Sequence, residues 1–254
     1  MLKVAFIGDS FSAYVQTGQG ENSWTYLLAK HFPQHQYYNY AFGGRGYDFY
    51  QLCLLDAKIR NIDVILINKT FPHRVSELHG DNSHSFTATT IDDNYFTLYC
   101  ENIVWYTAHV DTIHLDSKKA ECFSLQISED SQVLPKVIPP SLFNSYNEVL
   151  RYKSVSGQNI DYNEKWYESM HSLYNFKDIV KLSLIRDSED PSDSASKQLQ
   201  KAFGIDIEKV LWEPSNELFD KGLTVSLTDD HWSPLANQWV FDNYILPRVV
   251  DILS

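Results

Sequence analysis

The sequence predicts an α/β fold wound around a central parallel sheet, and three observations predict it. Strand-like and helix-like segments alternate strictly over the first 70 or so residues. The third strand-like segment, Asp63-Val64-Ile65-Leu66-Ile67-Asn68, is a continuous apolar run, as suits a strand buried on both faces. Near the other end, Ser233-Pro234 pairs a capping hydroxyl with a proline at the first helical position, a strong helix start directly after Asp229-Asp230-His231-Trp232.

Val4 to Gly8 reads as a short buried strand, small or β-branched and closed by Gly, and Asp9-Ser10 follows at once. Ala13 to Glu21 is polar and carries Gly18 and Gly20, so a loop is expected there. Asn22 or Ser23 can cap a helix to about Phe32, with Trp24, Leu27, Leu28 and His31 at helical spacing. Tyr37 to Phe42 reads as the second strand, ended by Gly43-Gly44-Arg45-Gly46. A helix follows from about Asp48, a possible cap, to Arg60, and then the third strand. Lys69 to Arg74 is a polar loop at a strand tip, where ligands meet open α/β sheets.

The middle is less regular. Residues 79–93 read as an exposed loop, Tyr95 to Leu115 as one long helix, Cys122 to Ile127 as a strand, and Ser141 to Lys153 as a helix. Asn163 to Tyr174 and Phe176 to Leu184 are read as two further helices, and Val210-Leu211-Trp212 as a last short strand. Leu235, Trp239, Val240 and Phe241 give the terminal helix a buried face, which Pro247 should end or kink. No repeat or linker divides the chain. It is read as a single domain, 1–254, with insertions within 75–205.

Composition narrows the partners. Net charge is −12, which disfavours nucleic-acid backbones and anionic membranes. No apolar run approaches the ~18 residues of a membrane span. Aromatic residues reach 14%, with 16 Tyr and 6 Trp, enough for some rings to line a groove. The three cysteines (Cys53, Cys100, Cys122) are widely spaced and suggest neither a disulfide framework nor zinc ligands. Residue 1 leads straight into a strand without a basic and apolar leader, so a cytoplasmic location is the expectation.

The chemistry-bearing residues fall at the two ends. Ser10 stands at the tip of the first strand, Gly44 in the glycine-rich second tip, and Asp229-Asp230-His231 in the loop before the last helix. A hydroxyl nucleophile needs an imidazole to take its proton and a carboxylate to orient that imidazole. Gly-Asp-Ser is equally the composition of a plain turn, so the distant His block carries the argument. His73 and Arg74 could hold an anionic group, although a loop Arg is usually just solvated. The other histidines show no metal-ligand spacing.

These blocks resemble the SGNH, or GDSL-type, hydrolases. Phe6-Ile7-Gly8-Asp9-Ser10, with Ser23-Trp24 and Leu27-Leu28 after it, resembles the nucleophile block. Asn39-Tyr40-Ala41-Phe42-Gly43-Gly44 resembles the second block, and Asp229-Asp230-His231-Trp232-Ser233-Pro234 the last. The resemblance covers about 70 N-terminal and 30 C-terminal residues. It implies a three-layer α/β/α fold, with no metal or organic cofactor, and ester hydrolysis through an acyl-enzyme on Ser10. His231 would be general base, and the N–H groups of Ser10 and Gly44 would bind the oxyanion. The orienting carboxylate lies three residues before the His in many members, where this chain has Thr228, and two before in others, which selects Asp229 over the adjacent Asp230.

The third block departs from the family pattern. In place of Gly-x-Asn-Asp stands Asn68-Lys69-Thr70-Phe71-Pro72-His73-Arg74, leaving Asn68, Thr70 or His73 to supply the third oxyanion donor. One lost donor costs ~10²–10³ in rate. The expected function is therefore a serine esterase or deacylase acting on a small-molecule or carbohydrate ester. The contrasting expectation is a degenerate domain of this type that binds a glycan or a protein.

Overall fold

The computed structural model describes residues 1–13, 22–41, 46–70, 87–92, 95–99, 111–112, 158–185, 194–205, 216–226 and 229–254. In chain order these form β1 (Lys3–Ile7), α1 (Trp24–His31), β2 (Gln36–Asn39), α2 (Tyr47–Ile59), β3 (Val64–Asn68), β4 (Thr87–Asp92), β5 (Tyr95–Tyr99) and β6 (Asp111–Thr112). There follow α3 (Gln158–Leu173), β7 (Asp178–Leu182), α4 (Ala195–Ala202), α5 (Asn216–Asp220), β8 (Thr224–Ser226), β9 (Asp229–Trp232) and α6 (Pro234–Val240). A π-helical turn (Phe241–Ile245) and α7 (Leu246–Leu253) complete the chain.

The main sheet has the order β6-β2-β1-β3-β7. β1 is its centre, parallel to β2 on one side (Val4 beside Tyr37) and to β3 on the other (Val4 beside Val64). β7 extends the parallel set beyond β3, while β6 runs antiparallel to β2. The chain winds from β1 to β2 and then crosses to β3 on the opposite side. The C-terminal tip of β1 therefore lies at a reversal of strand order, where open α/β sheets leave a crevice.

Side-chain alternation sends β1 and β3 into two cores. Val4, Phe6, Val64 and Leu66, joined by Val180 and Leu182 of β7, pack with Trp24 and Leu28 of α1, Leu199 of α4, and Val240, Val249 and Leu253 near the C-terminus. Ala5, Ile7, Ile65 and Ile67 pack with Tyr50 and Leu54 of α2 and Tyr167 and Met170 of α3. Burial on both faces is why β3 reads as an uninterrupted apolar run.

The helix starts follow their capping chemistry. Ser23 accepts from the Tyr26 N–H at the head of α1, and Ser233 from the Ala236 N–H at the head of α6. The α2 cap is Gly46, not Asp48, which lies in the first turn instead.

Several expectations are corrected: residues 79–93, read as an exposed loop, include β4, and Leu235, read on the buried face of the last helix, is exposed. Residues 176–184, read as a helix, contain β7: Ile179 and Val180 are β-branched, and Val180 and Leu182 alternate into one core with the period of a strand. Tyr95 to Leu115, read as one helix, begins as β5, a run of aromatic and β-branched residues paired with β4, and includes β6. Of the two outcomes expected at Pro247, an end or a kink, the structure shows an interruption and not an end. In a regular helix its ring would meet the carbonyl of residue 243; the preceding π turn widens the spiral, and α7 continues to Leu253. The segments expected at 122–127, 141–153 and 210–212 lie outside the described residues.

Candidate active site

The turn after β1 is fixed by hydrogen bonds on every side. The Asp9 carbonyl accepts from the Ser12 N–H (3.0 Å) and the Ser10 carbonyl from the Ala13 N–H (3.3 Å). The Phe11 carbonyl accepts from the indole Nε1–H of Trp24 (2.9 Å), and the Ser12 carbonyl from Nδ2 of Asn39 (3.1 Å). The Phe11 N–H donates to Oδ1 of Asp9 at 3.2 Å. Four consecutive carbonyls and three consecutive amides are thus accounted for. Ser10 is the exception within this frame: it is partly exposed, and among the described residues its N–H and its hydroxyl have no partner.

Gly8 makes the turn possible. A Cβ there would stand 2.5 Å from Oγ and 2.7 Å from Cβ of Ser12, closer than atoms can approach. The glycine is demanded by a close approach of the chain to itself. The Ser12 hydroxyl that occupies this space is buried and has no hydrogen-bond partner among the described residues.

Asn68, at the end of β3, is fully buried. Its Nδ2 donates to Oδ1 of Asp9 (3.2 Å), and its Oδ1 accepts from the Leu184 N–H (3.0 Å). The residue offered as a third oxyanion donor therefore bridges the tip of β1 to the segment after β7. Asp9, also fully buried, is held from two directions and points its carboxyl away from solvent.

His231 comes to the same place from the far end of the chain. It lies in β9, which pairs antiparallel with β8 (Thr224 beside Trp232), where a loop was expected. Its ring stacks on the ring of Phe11, the neighbour of Ser10, with centroids 5.0 Å apart and planes 29° apart. Trp232 meets Phe11 edge-on at 5.2 Å. The structure thus brings the residue after Ser10 into contact with His231. Asp229 and Asp230 are placed by backbone alone: both lie in β9, Asp229 opposite Ser226. Gly44, His73 and Arg74 lie outside the described residues, and Thr70 is buried beyond the end of β3.

Sequence reading missed three contributors. Trp24 stands out in the sequence only by its helical spacing and its place in the nucleophile block, but its indole N–H bonds the turn at Phe11. Asn237 sits on the buried side of α6; its Oδ1 accepts from the Trp24 N–H (3.2 Å), and its Nδ2 donates to the Trp232 and Ser233 carbonyls (3.1 and 3.2 Å). Phe11 carried no reading in the sequence. The legible signal was Asn237, an amide on the same helix face as Ala236 and Val240, because buried amides need partners.

Among the described residues no cluster of His, Cys, Asp and Glu could hold a metal ion, and no helix is long and apolar enough to cross a membrane.

No protein-family model matches the chain, and no curated protein matches it. One solved structure that it resembles is a "putative lipolytic protein of G-D-S-L family from Desulfitobacterium hafniense DCB-2". The match covers 95% of this chain and 99% of that one, at 13% identity and a TM-score of 0.33.

Proposed function

We propose that this chain is a serine ester hydrolase of the SGNH type, with the three-layer α/β/α arrangement of that fold and Ser10 as nucleophile. The carrying observation is the state of the turn after β1. Its neighbouring backbone groups are bonded within the protein, while the Ser10 hydroxyl and amide have no partner among the described residues and are available to a substrate. A fixed loop with one available hydroxyl and one available N–H supplies a nucleophile and an oxyanion donor without reorganisation during the reaction.

In this reading the Ser10 hydroxyl attacks an ester carbonyl while His231 takes its proton. Asp229, two residues before His231 on the same short strand, orients the imidazole. The N–H groups of Ser10 and Gly44 hold the negative oxygen of the tetrahedral intermediate. The alcohol leaves with the proton from His231, and water then releases the acid by the same steps in reverse. Asn68 contributes mainly by holding Asp9; it can act as a third donor only through the second hydrogen of Nδ2. O-acetyl groups on a carbohydrate are the candidate ester, since aromatic rings stack on sugar faces, and neither nucleic acid nor a cofactor is required.

A second reading is a binding domain that keeps the fold without efficient turnover. The burial of Asn68 and its bonds to Asp9 and Leu184 favour it, because they weaken the oxyanion site.

Labelling with a fluorophosphonate, mapped by peptide mass spectrometry, separates the two. Label on Ser10 that vanishes in Ser10→Ala and falls sharply in His231→Ala is the expected outcome. Folded protein without label supports the binding domain.

A further inference from the structure

The proposed nucleophile and base stand more than 200 residues apart in sequence, so something other than the local chain must set their relation. We propose that Trp24, with Asn237 and Phe11, forms the positioning unit that holds His231 against the Ser10 turn. The inference rests on the reading of His231 as the base, but the contacts that carry it are independent of any activity.

The contacts close a circuit. The indole of Trp24 donates to the Phe11 carbonyl (2.9 Å), fixing the turn to the head of α1. The backbone N–H of Trp24 donates to Oδ1 of Asn237 (3.2 Å), fixing α1 to α6. Nδ2 of Asn237 donates to the carbonyls of Trp232 and Ser233, fixing α6 to the strand that carries His231. The stack of His231 on Phe11, with Trp232 edge-on to the same ring, returns to the starting point. Trp24 and Asn237 are both buried, so water does not compete for these bonds.

Each member does something a plain core residue would not. Trp24 is the first residue of α1, and its N–H is one of the amides an isolated helix leaves unsatisfied. Ser23 caps the Tyr26 N–H, and Asn237 takes that of Trp24. The end of one helix thereby becomes the joint between the two halves of the site. The Phe11 ring, lying nearly flat on the imidazole, also offers its negative face to the cation that forms when His231 accepts a proton. Geometry set to a fraction of an ångström matters here, because misplacement of ~1 Å can cost ~10²-fold in rate.

The test uses Trp24→Phe and Asn237→Asp in the full chain. Trp24→Phe keeps a ring against Phe6, which Trp24 meets edge-on at 5.4 Å, and removes the indole donor together with some buried volume. Asn237→Asp keeps the shape and the acceptor but removes both N–H donors. Two readouts are taken on folded protein: the ring resonances of His231, shifted by the face of Phe11, and the rate of fluorophosphonate labelling of Ser10 against pH. Both variants are expected to move the His231 resonances toward those of a solvent-exposed histidine. Labelling should slow by about tenfold or more.

Unchanged resonances and labelling in folded variants would overturn the proposal. Failure of both variants to fold would also overturn it, by assigning these contacts to the core and not to placement. If wild-type protein takes no label, the ester-hydrolase reading fails on its own, and the His231 resonances still decide whether Trp24 and Asn237 set the ring.

Discussion

Replacing Asn68 by leucine tests the idea that the turn after β1 is braced from β3. Leucine keeps the branched shape but is the larger side chain, so no cavity opens and any overpacking adds to the loss. Two hydrogen bonds are lost, both in the fully buried environment of Asn68. The bond to the Asp9 carboxyl, an interaction with a charged group, accounts for about 1.5–3 kcal/mol, and the Leu184 N–H left without its acceptor for about 1–3 kcal/mol. A loss near 2.5–6 kcal/mol corresponds to roughly 5–24 °C in Tm, at about 2–4 °C per kcal/mol for a chain of this size. Thermal unfolding followed by circular dichroism measures it. Asn68→Asp separates the two bonds: it keeps the acceptor for Leu184 but sets a second carboxyl beside Asp9. It should be the less stable variant at neutral pH and should gain on the wild type on acidification, once one carboxyl of the pair holds a proton and can donate to the other. A Tm for Asn68→Leu within about 2 °C of wild type would refute the brace, since so small a change lies far below the loss of two buried bonds.

Two further outcomes are expected. Gly8→Ala places a methyl 2.5 Å from Oγ of Ser12 and should abolish labelling of Ser10, and Gly8→Ala with Ser12→Gly should restore part of it, because the obstructing atoms belong to Ser12; labelling yields on both variants check this. Burial holds the hydroxyls of Tyr40 and Tyr167 protonated well above the usual phenol range. Their folded pKa values are raised above the unfolded value, so their contribution is whole below pH ~10. It is lost above that at up to ~1.4 kcal/mol per pH unit for each tyrosine. Tyr40→Phe should flatten the alkaline loss measured by urea unfolding between about pH 9 and 11; an unchanged slope would contradict the assignment to Tyr40.

The parts of the fold that follow local rules were legible. β3 announces itself by being apolar throughout, and α6 by Ser233-Pro234, because burial on both faces and capping each leave a mark within a few residues. β7 was missed because Ile179, Val180, Leu182 and Leu184 fit a helical stripe as well as an alternating strand over so short a run. Only pairing with β3, more than 100 residues away, chooses between them. Pro247 marked the place of an interruption but not its form: the breaker rule assumes a regular helix, and the π turn before it supplies the missing room.

The site divides along the same line. Ser10 and His231 could be singled out because nucleophilic chemistry restricts which residue types can do it, and such residues stand out from a turn or a helix start. Asp9, Asn39, Asn68, Trp24 and Asn237 could not be assigned their bonds, since each is bound to a segment at least 13 residues distant. Yet in the proposed function these residues are what would separate a reactive serine from a serine in a turn. A lone Gly-Asp-Ser would leave its carbonyls and amides to water and its hydroxyl free to rotate among them. Here Trp24, Asn39 and Asp9 take the neighbouring groups, Asn68 holds Asp9, and the partly exposed hydroxyl of Ser10, unlike the buried one of Ser12, lies beside the residue on which His231 stacks. The case for catalysis therefore grows with each neighbouring group shown to be bonded, and the side chains that bond them are the ones whose loss should silence Ser10 while leaving it in place.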